Sequence, residues 1–142
     1  MLIRECMEHL ESTAEKNQVT MTLHGVSTPF TGNRQQLQAI VGNLCSNAIK
    51  YNRPGGTVDV DIRREPGQVV LTVADTGIGI ATEHHQRIFQ RFYRVDKSHS
   101  KAVGGTGLGL SIVKHAAMNH NAKIELESQP GEGTTIRVIF PT

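Results

Sequence analysis

The sequence predicts an α+β fold: a two-layer sandwich in which a mixed, mainly antiparallel sheet carries helices on one face. Three observations predict it. Helical periodicity runs through residues 2–16, 34–51 and 108–120, and the first two stretches are clearly amphipathic. Strand patterning marks five short stretches, 19–23, 57–63, 68–74, 123–128 and 134–140. The last four fall into two pairs, each joined by a short turn containing Pro-Gly, as antiparallel hairpins require.

In chain order, Leu2, Ile3, Cys6, Met7, Leu10 and Ala14 fall on one side of a first helix. Its abrupt start suits a domain cut from a longer protein or a frayed natural end. Val19, Met21 and Leu23 alternate with polar residues, a short strand, and residues 25–32 read as a loop. Asn33 stands at the N-cap of the next helix, and Pro54-Gly55-Gly56 closes it. Along that helix Leu37, Val41, Leu44, Cys45 and Ala48 gather into an apolar stripe that should pack on a sheet. Val58, Val60 and Ile62 point inward from the following strand, and 68–74 is more continuously apolar. A short helix is expected over 82–91. Residues 93–107 lack periodicity, and such a long segment in a small domain is more often a functional lid than a plain connection.

Composition narrows the class. At 142 residues the chain forms one domain, long enough for a two-layer core. Hydrophobic residues make up 37% and charged residues 20%, but aromatics only 4%, so the core must be mainly aliphatic. A net charge of +2 without a Lys/Arg block gives no case for nucleic acid. No apolar run approaches the roughly 20 residues of a membrane span, and no signal peptide is visible, so direct membrane contact is not expected. Cys6 and Cys45 occupy apolar helix positions and read as reduced core thiols in a cytosolic compartment.

Four segments carry chemistry. The helix 34–51 has a second stripe of Asn43, Asn47, Lys50 and Tyr51. Asn43 and Asn47 stand four residues apart, so both amides project to one side. An amide oxygen is a hard, neutral ligand suited to Mg²⁺, Lys50 brings positive charge and Tyr51 a ring to lie against a base. A polar helix shoulder accounts for the same residues equally well. Asp75 ends an apolar strand and is followed by Thr76-Gly77-Ile78-Gly79. A carboxylate there must find donors or face a cavity, and an ionised one accepts from an adenine amino group while repelling a guanine carbonyl. A tight turn with an Asx hydrogen bond is the simpler alternative. The Asp-Thr-Gly triplet also occurs in aspartic proteases, which need two such carboxylates in contact, whereas this chain has one copy.

The third segment, Gly104-Gly105-Thr106-Gly107-Leu108-Gly109-Leu110, leads into a helix whose N-terminus favours phosphate. It is neither a Walker A loop nor a dinucleotide fingerprint. The fourth, Arg87 to Arg94, sets arginines among aromatics. Phe89 and Phe92 read as core plugs, and Arg91 and Arg94 as candidates to reach a terminal phosphate. Within the hairpin turn 131–135, a hydroxyl from Thr135 near a base is a further candidate.

Taken in order, Asn43 to Tyr51, Asp75 to Gly79, Arg87 to Arg94 and Gly105 to Leu110 resemble the N, G1, F and G2 boxes of bacterial sensor histidine kinase ATP-binding domains. The resemblance spans nearly the whole chain. The wider superfamily, the GHKL or Bergerat type, also includes gyrase, MutL and heat-shock-90-type ATPases. It implies ATP held with Mg²⁺ beneath a flexible lid over about residues 92–107. Asn47 would be the metal ligand and Asp75 the partner of adenine N6. Gly77 and Gly79 would let backbone approach the base, with Asn43, Lys50, Tyr51 and Thr135 around the nucleotide. Gly105, Thr106, Gly107, Leu108, Gly109 and Leu110 would line the phosphates. Asn43, Lys50, Arg91 and Arg94 would serve the transfer step.

One position separates the members. In gyrase-like and MutL-like ATPases the residue matching Asn43 is a Glu that acts as general base, and Asn43 cannot take a proton. A neutral imidazole needs no such help near pH 7, so Asn43 favours phosphotransfer to histidine over hydrolysis. The acceptor is expected elsewhere: the family's histidine is followed by Glu or Asp, and none of the seven here is. The resemblance therefore implies the nucleotide-binding half of a kinase. Its partners would be the dimerisation and histidine-phosphotransfer domain of the same parent and a response regulator receiver domain. It would lie on the cytoplasmic side of a membrane-anchored sensor. An autonomous ATPase and a degenerate nucleotide-binding regulatory module are the alternatives.

Overall fold

Two tight turns set the sheet, because each forces the strand after it to fold back on the strand before it. The computed structural model describes residues 2–25, 33–79 and 109–141. These form α1 (Leu2–Lys16), β1 (Thr20–Gly25), α2 (Arg34–Lys50), β2 (Thr57–Glu65), β3 (Gln68–Asp75), α3 (Gly109–Asn119), β4 (Lys123–Gln129) and β5 (Gly133–Pro141). The strands make one sheet in the order β1-β2-β3-β5-β4. Among the described strands only the β1–β2 pair is parallel, and α2 provides the crossover that a parallel pair needs. The remaining pairs are antiparallel, with β4 at the edge and β5 returning beside β3. The mixed, mainly antiparallel α+β sandwich expected from the sequence is therefore present. The expected helix at 82–91 and the segment 93–107 lie outside the described residues.

Strand register decides what faces the helices. Leu23, Val60, Val73, Ile136 and Leu126 lie side by side across all five strands. Their neighbours Ile62, Leu71, Val138 and Ile124 form the adjoining row. The helices cover these rows with Ala14 of α1, Ile40, Leu44 and Ala48 of α2, and Val113 and Ala117 of α3. The opposite face carries charge, including Arg137 paired with Glu127 at 3.1 Å and Arg63 with Asp61 at 2.8 Å. No described helix is long and apolar enough to cross a membrane.

The apolar side of α2 is wider than the helical wheel suggests. Ile40 and Ile49 are fully buried beside Val41, Leu44, Cys45 and Ala48, whereas Leu37 is only partly covered. The cause is position: α2 packs against α1 and α3 as well as against β2 and β3. Its start is fixed by Asn33, whose side-chain oxygen accepts from the Gln36 N–H at 3.0 Å. The Asn33 N–H in turn donates to His120 Nε2 at 3.1 Å. That acceptor role leaves the ring proton on Nδ1, which donates to the Ala116 carbonyl at 2.9 Å. The end of α3 is thus tied to the beginning of α2, and α3 runs back along α2.

Ile40→Ala should cost about 2–5 kcal/mol, since a side chain with no exposed surface would leave a cavity in the core. Asn33→Ala should cost about 1 kcal/mol through the lost cap. Urea unfolding followed by circular dichroism checks both, and equal costs would contradict this division between core and cap.

Candidate functional site

The inner rows of the sheet do not stay apolar to their ends. Beyond Val73, the next position of β3 on the helix side is Asp75, which lies between Val58 of β2 and Thr134 of β5. Burial takes the Asp75 carboxyl largely out of water and pushes its pKa up to about 6. Backbone N–H groups of Gly77 and Thr134 donate to it and oppose the rise, the Gly77 bond measuring 2.8 Å. Two donors leave a carboxylate with lone pairs to spare.

The turn after Asp75 is pressed onto the end of α2. Ile78 N–H donates to the Tyr51 carbonyl at 3.0 Å, and Tyr51 caps the helix through its own N–H to Asn47. A Cβ on Gly77 would collide with that Tyr51 carbonyl, so the approach requires glycine. Gly79 has φ +72°, and a Cβ there would meet the Gln129 carbonyl at the foot of the β4–β5 hairpin. The hairpin closes on the same turn, with Gly131 N–H donating to the Ile78 carbonyl at 2.7 Å. Asp75, Gly77, Gly79 and the C-terminal end of α2 are therefore one assembled unit.

Along α2, Asn43, Asn47, Lys50 and Tyr51 are all half-buried. Asn43 Nδ2 donates to the Ala39 carbonyl one turn back at 2.7 Å. The Asn47 amide has no side-chain hydrogen-bond partner among the described residues. Because α3 runs back along α2 and rises about 1.5 Å per residue, its first residue, Gly109, comes alongside the middle of α2. Leu110 is half-buried against the core. Arg91, Arg94, Gly105, Thr106, Gly107 and Leu108 lie outside the described residues.

Thr135 requires a correction. It pairs with Ala74 and Glu127, on the sheet face away from the helices. The hydroxyl on the Asp75 side belongs to Thr134, which pairs with Asp75 and bonds Ser128 Oγ at 2.8 Å. The signal was present in the sequence: Thr134 shares strand parity with Ile136, Val138 and Phe140, which face the core. Arg53 was also missed. Its guanidinium donates to the carbonyls of Thr76 at 3.0 Å, Gly77 at 2.9 Å and Gly131 at 2.9 Å. Beside it Asn52 bonds the Thr57 carbonyl at 2.9 Å, and Thr76 Oγ1 accepts from the Thr57 N–H at 2.9 Å.

A family model described as histidine kinase-, DNA gyrase B- and HSP90-like ATPase matches residues 32–142, from the start of α2 onward. The chain belongs to this ATPase family. Membership in such a family implies ATP binding. Sensor-like histidine kinase SenX3 of Mycolicibacterium smegmatis is 41% identical over 141 residues, covering 99% of this chain and 37% of SenX3. Sensor histidine kinase WalK of Bacillus subtilis is 39% identical over 110 residues, covering 76% of this chain and 18% of WalK. The structure of the mycobacterial sensor histidine kinase MprB matches with a TM-score of 0.80 at 29% identity, covering 99% of this chain and 91% of that one. This member of the ATPase family thus spans well under half the length of these curated relatives.

Asp75 also has a consequence for stability. A carboxyl whose folded pKa lies above its unfolded value favours the fold only while protonated. That contribution is complete below about pH 4 and is lost as pH rises through about 6. Asp75→Asn should therefore melt higher than the parent chain at pH 8, with the gain fading toward pH 4. After discounting for partial solvent access, the gain is about 1–2 kcal/mol. Thermal melts across this range check it, and a gain confined to acid pH would contradict it.

Proposed function

We propose that this chain is the catalytic, ATP-binding domain of a two-component sensor histidine kinase. It binds Mg·ATP and presents the γ-phosphate to a histidine on a dimeric helical domain of the same parent. A response regulator receiver domain then takes the phosphoryl group from that histidine. The observation that carries the reading is the join between Asp75 and the polar side of α2 through the Tyr51 carbonyl. That join sets an acceptor for a base amino group at one end of a helix whose amides lie one and two turns back. A solved relative, full-length ShkA in complex with AMPPNP, matches with a TM-score of 0.83 at 27% identity and covers 29% of that chain, which supports nucleotide as the ligand.

Each residue then has a role. Asp75 accepts from adenine N6, with the Thr134 hydroxyl beside it and Tyr51 against the ring. Asn47 fits Mg²⁺, because its half-buried amide oxygen has no hydrogen-bond partner among the described residues and is a hard neutral donor. Mg²⁺ neutralises phosphate charge when bound. Lys50 adds positive charge beside it, and Arg91 and Arg94 are the candidates to meet the γ-phosphate. Gly105 to Leu110, which run into the first turn of α3, line the phosphates. Asn43 spends its N–H on the Ala39 carbonyl and has no proton-accepting basic group, so it positions and does not activate water. This favours transfer to an imidazole over an autonomous ATPase.

Two measurements test the proposal. Supplied with labelled ATP and the parent's helical acceptor domain, the chain should produce acid-labile, base-stable phosphohistidine on that domain. Steady phosphate release by the isolated chain at a comparable rate would contradict it. Asn47→Ala should weaken binding of a non-hydrolysable ATP analogue on the order of tenfold in Mg²⁺. In EDTA the same variant should bind as the parent does, and equal weakening in both would remove Asn47 as the metal ligand.

A further inference from the structure

We propose that Arg53 is a positioning residue for adenine recognition, holding the backbone that aims the Asp75 carboxylate; this rests on the adenine-site reading above. The argument begins with the peptide unit between Thr76 and Gly77. In a trans peptide the carbonyl and the N–H point in opposite directions. Arg53 Nε draws the Thr76 carbonyl to one side at 3.0 Å, so the Gly77 N–H is turned to the other. There it donates to Asp75 Oδ1 at 2.8 Å. The next unit follows the same pattern: Arg53 Nη2 holds the Gly77 carbonyl at 2.9 Å, and Ile78 N–H is turned onto the Tyr51 carbonyl at 3.0 Å. The same Nη2 reaches Gly131 at 2.9 Å and ties in the hairpin.

One planar cation thus orients two successive peptides and a turn 78 residues away in sequence. Only a guanidinium has the fork to do this, since an ammonium is a compact point charge. The guanidinium is directed to the carbonyls of Thr76, Gly77 and Gly131, and Arg53 acts through the direction of the Gly77 N–H.

The test compares the 142-residue chain with Arg53→Met and Arg53→Lys, titrated with non-hydrolysable analogues of ATP and of ITP. ITP keeps the ribose and phosphates but replaces the amino donor with a carbonyl. Arg53→Met should lose about fivefold to tenfold in affinity for the ATP analogue and less than about twofold for the ITP analogue. A purely structural role would lower both alike, and that result, or full retained preference for ATP, overturns the inference. Should Arg53→Met not fold, Arg53→Lys carries the same test, and undiminished ATP preference in it is the overturning result. The Gly77 amide proton provides a readout without ligand: its resonance should move upfield and exchange faster in the variants, and an unchanged amide overturns the inference. A parent chain that binds both analogues equally overturns the adenine-site reading itself, and the recognition role with it.

Discussion

A carboxylate placed on the inner face of a sheet must be supplied with hydrogen-bond donors, and the region around Asp75 is arranged to satisfy that need. The inner face of β3 carries Val69, Leu71 and Val73 and then Asp75. Burial there raises its pKa to about 6, so at neutral pH the charged form is held against the preference of its surroundings. Gly77 and Thr134 supply N–H donors only because the turn and the hairpin approach closely. Glycine at 77 permits contact with α2, glycine at 79 permits contact with β4, and Arg53 holds the assembled carbonyls. A group tolerated at this cost suits recognition of a donor that arrives later, as an adenine amino group does.

Most of the fold was legible in the sequence because its signals are local. Periodicity located α1, α2 and α3 to within a residue or two, and the Pro-Gly turns gave both hairpins. Three features were less accessible. Ile40 and Ile49 are buried because α2 is packed on several sides, which a wheel drawn for one apolar stripe does not show. The register of Thr134 shows only in its strand parity with Ile136, Val138 and Phe140, a weaker signal than the motif itself, and Thr135 faces the other side of the sheet. The role of Arg53 was not legible at all. Its partners are main-chain carbonyls 23, 24 and 78 residues away, and a carbonyl leaves no trace in the identity of its residue.

The chain belongs to an ATPase family described as histidine kinase-, DNA gyrase B- and HSP90-like. On the proposed reading Asn43 takes the place of the general base of gyrase-like ATPases, and its amide is engaged along the helix with Ala39. A domain that binds ATP without an internal base is suited to hand its phosphate to a better nucleophile. The relatives to which the chain is similar are sensor kinases much longer than it is. A domain that supplies nucleotide and leaves the acceptor histidine to another part of the parent accords with both observations.

The central claim is that Asp75 reads the amino group of adenine. Calorimetric titration of the chain in Mg²⁺ with non-hydrolysable ATP and GTP analogues tests it most directly. Guanine presents a carbonyl where adenine presents its amino group, so the GTP analogue should bind at least about tenfold more weakly. Equal affinities, or no binding of the ATP analogue at millimolar concentration, would contradict the account.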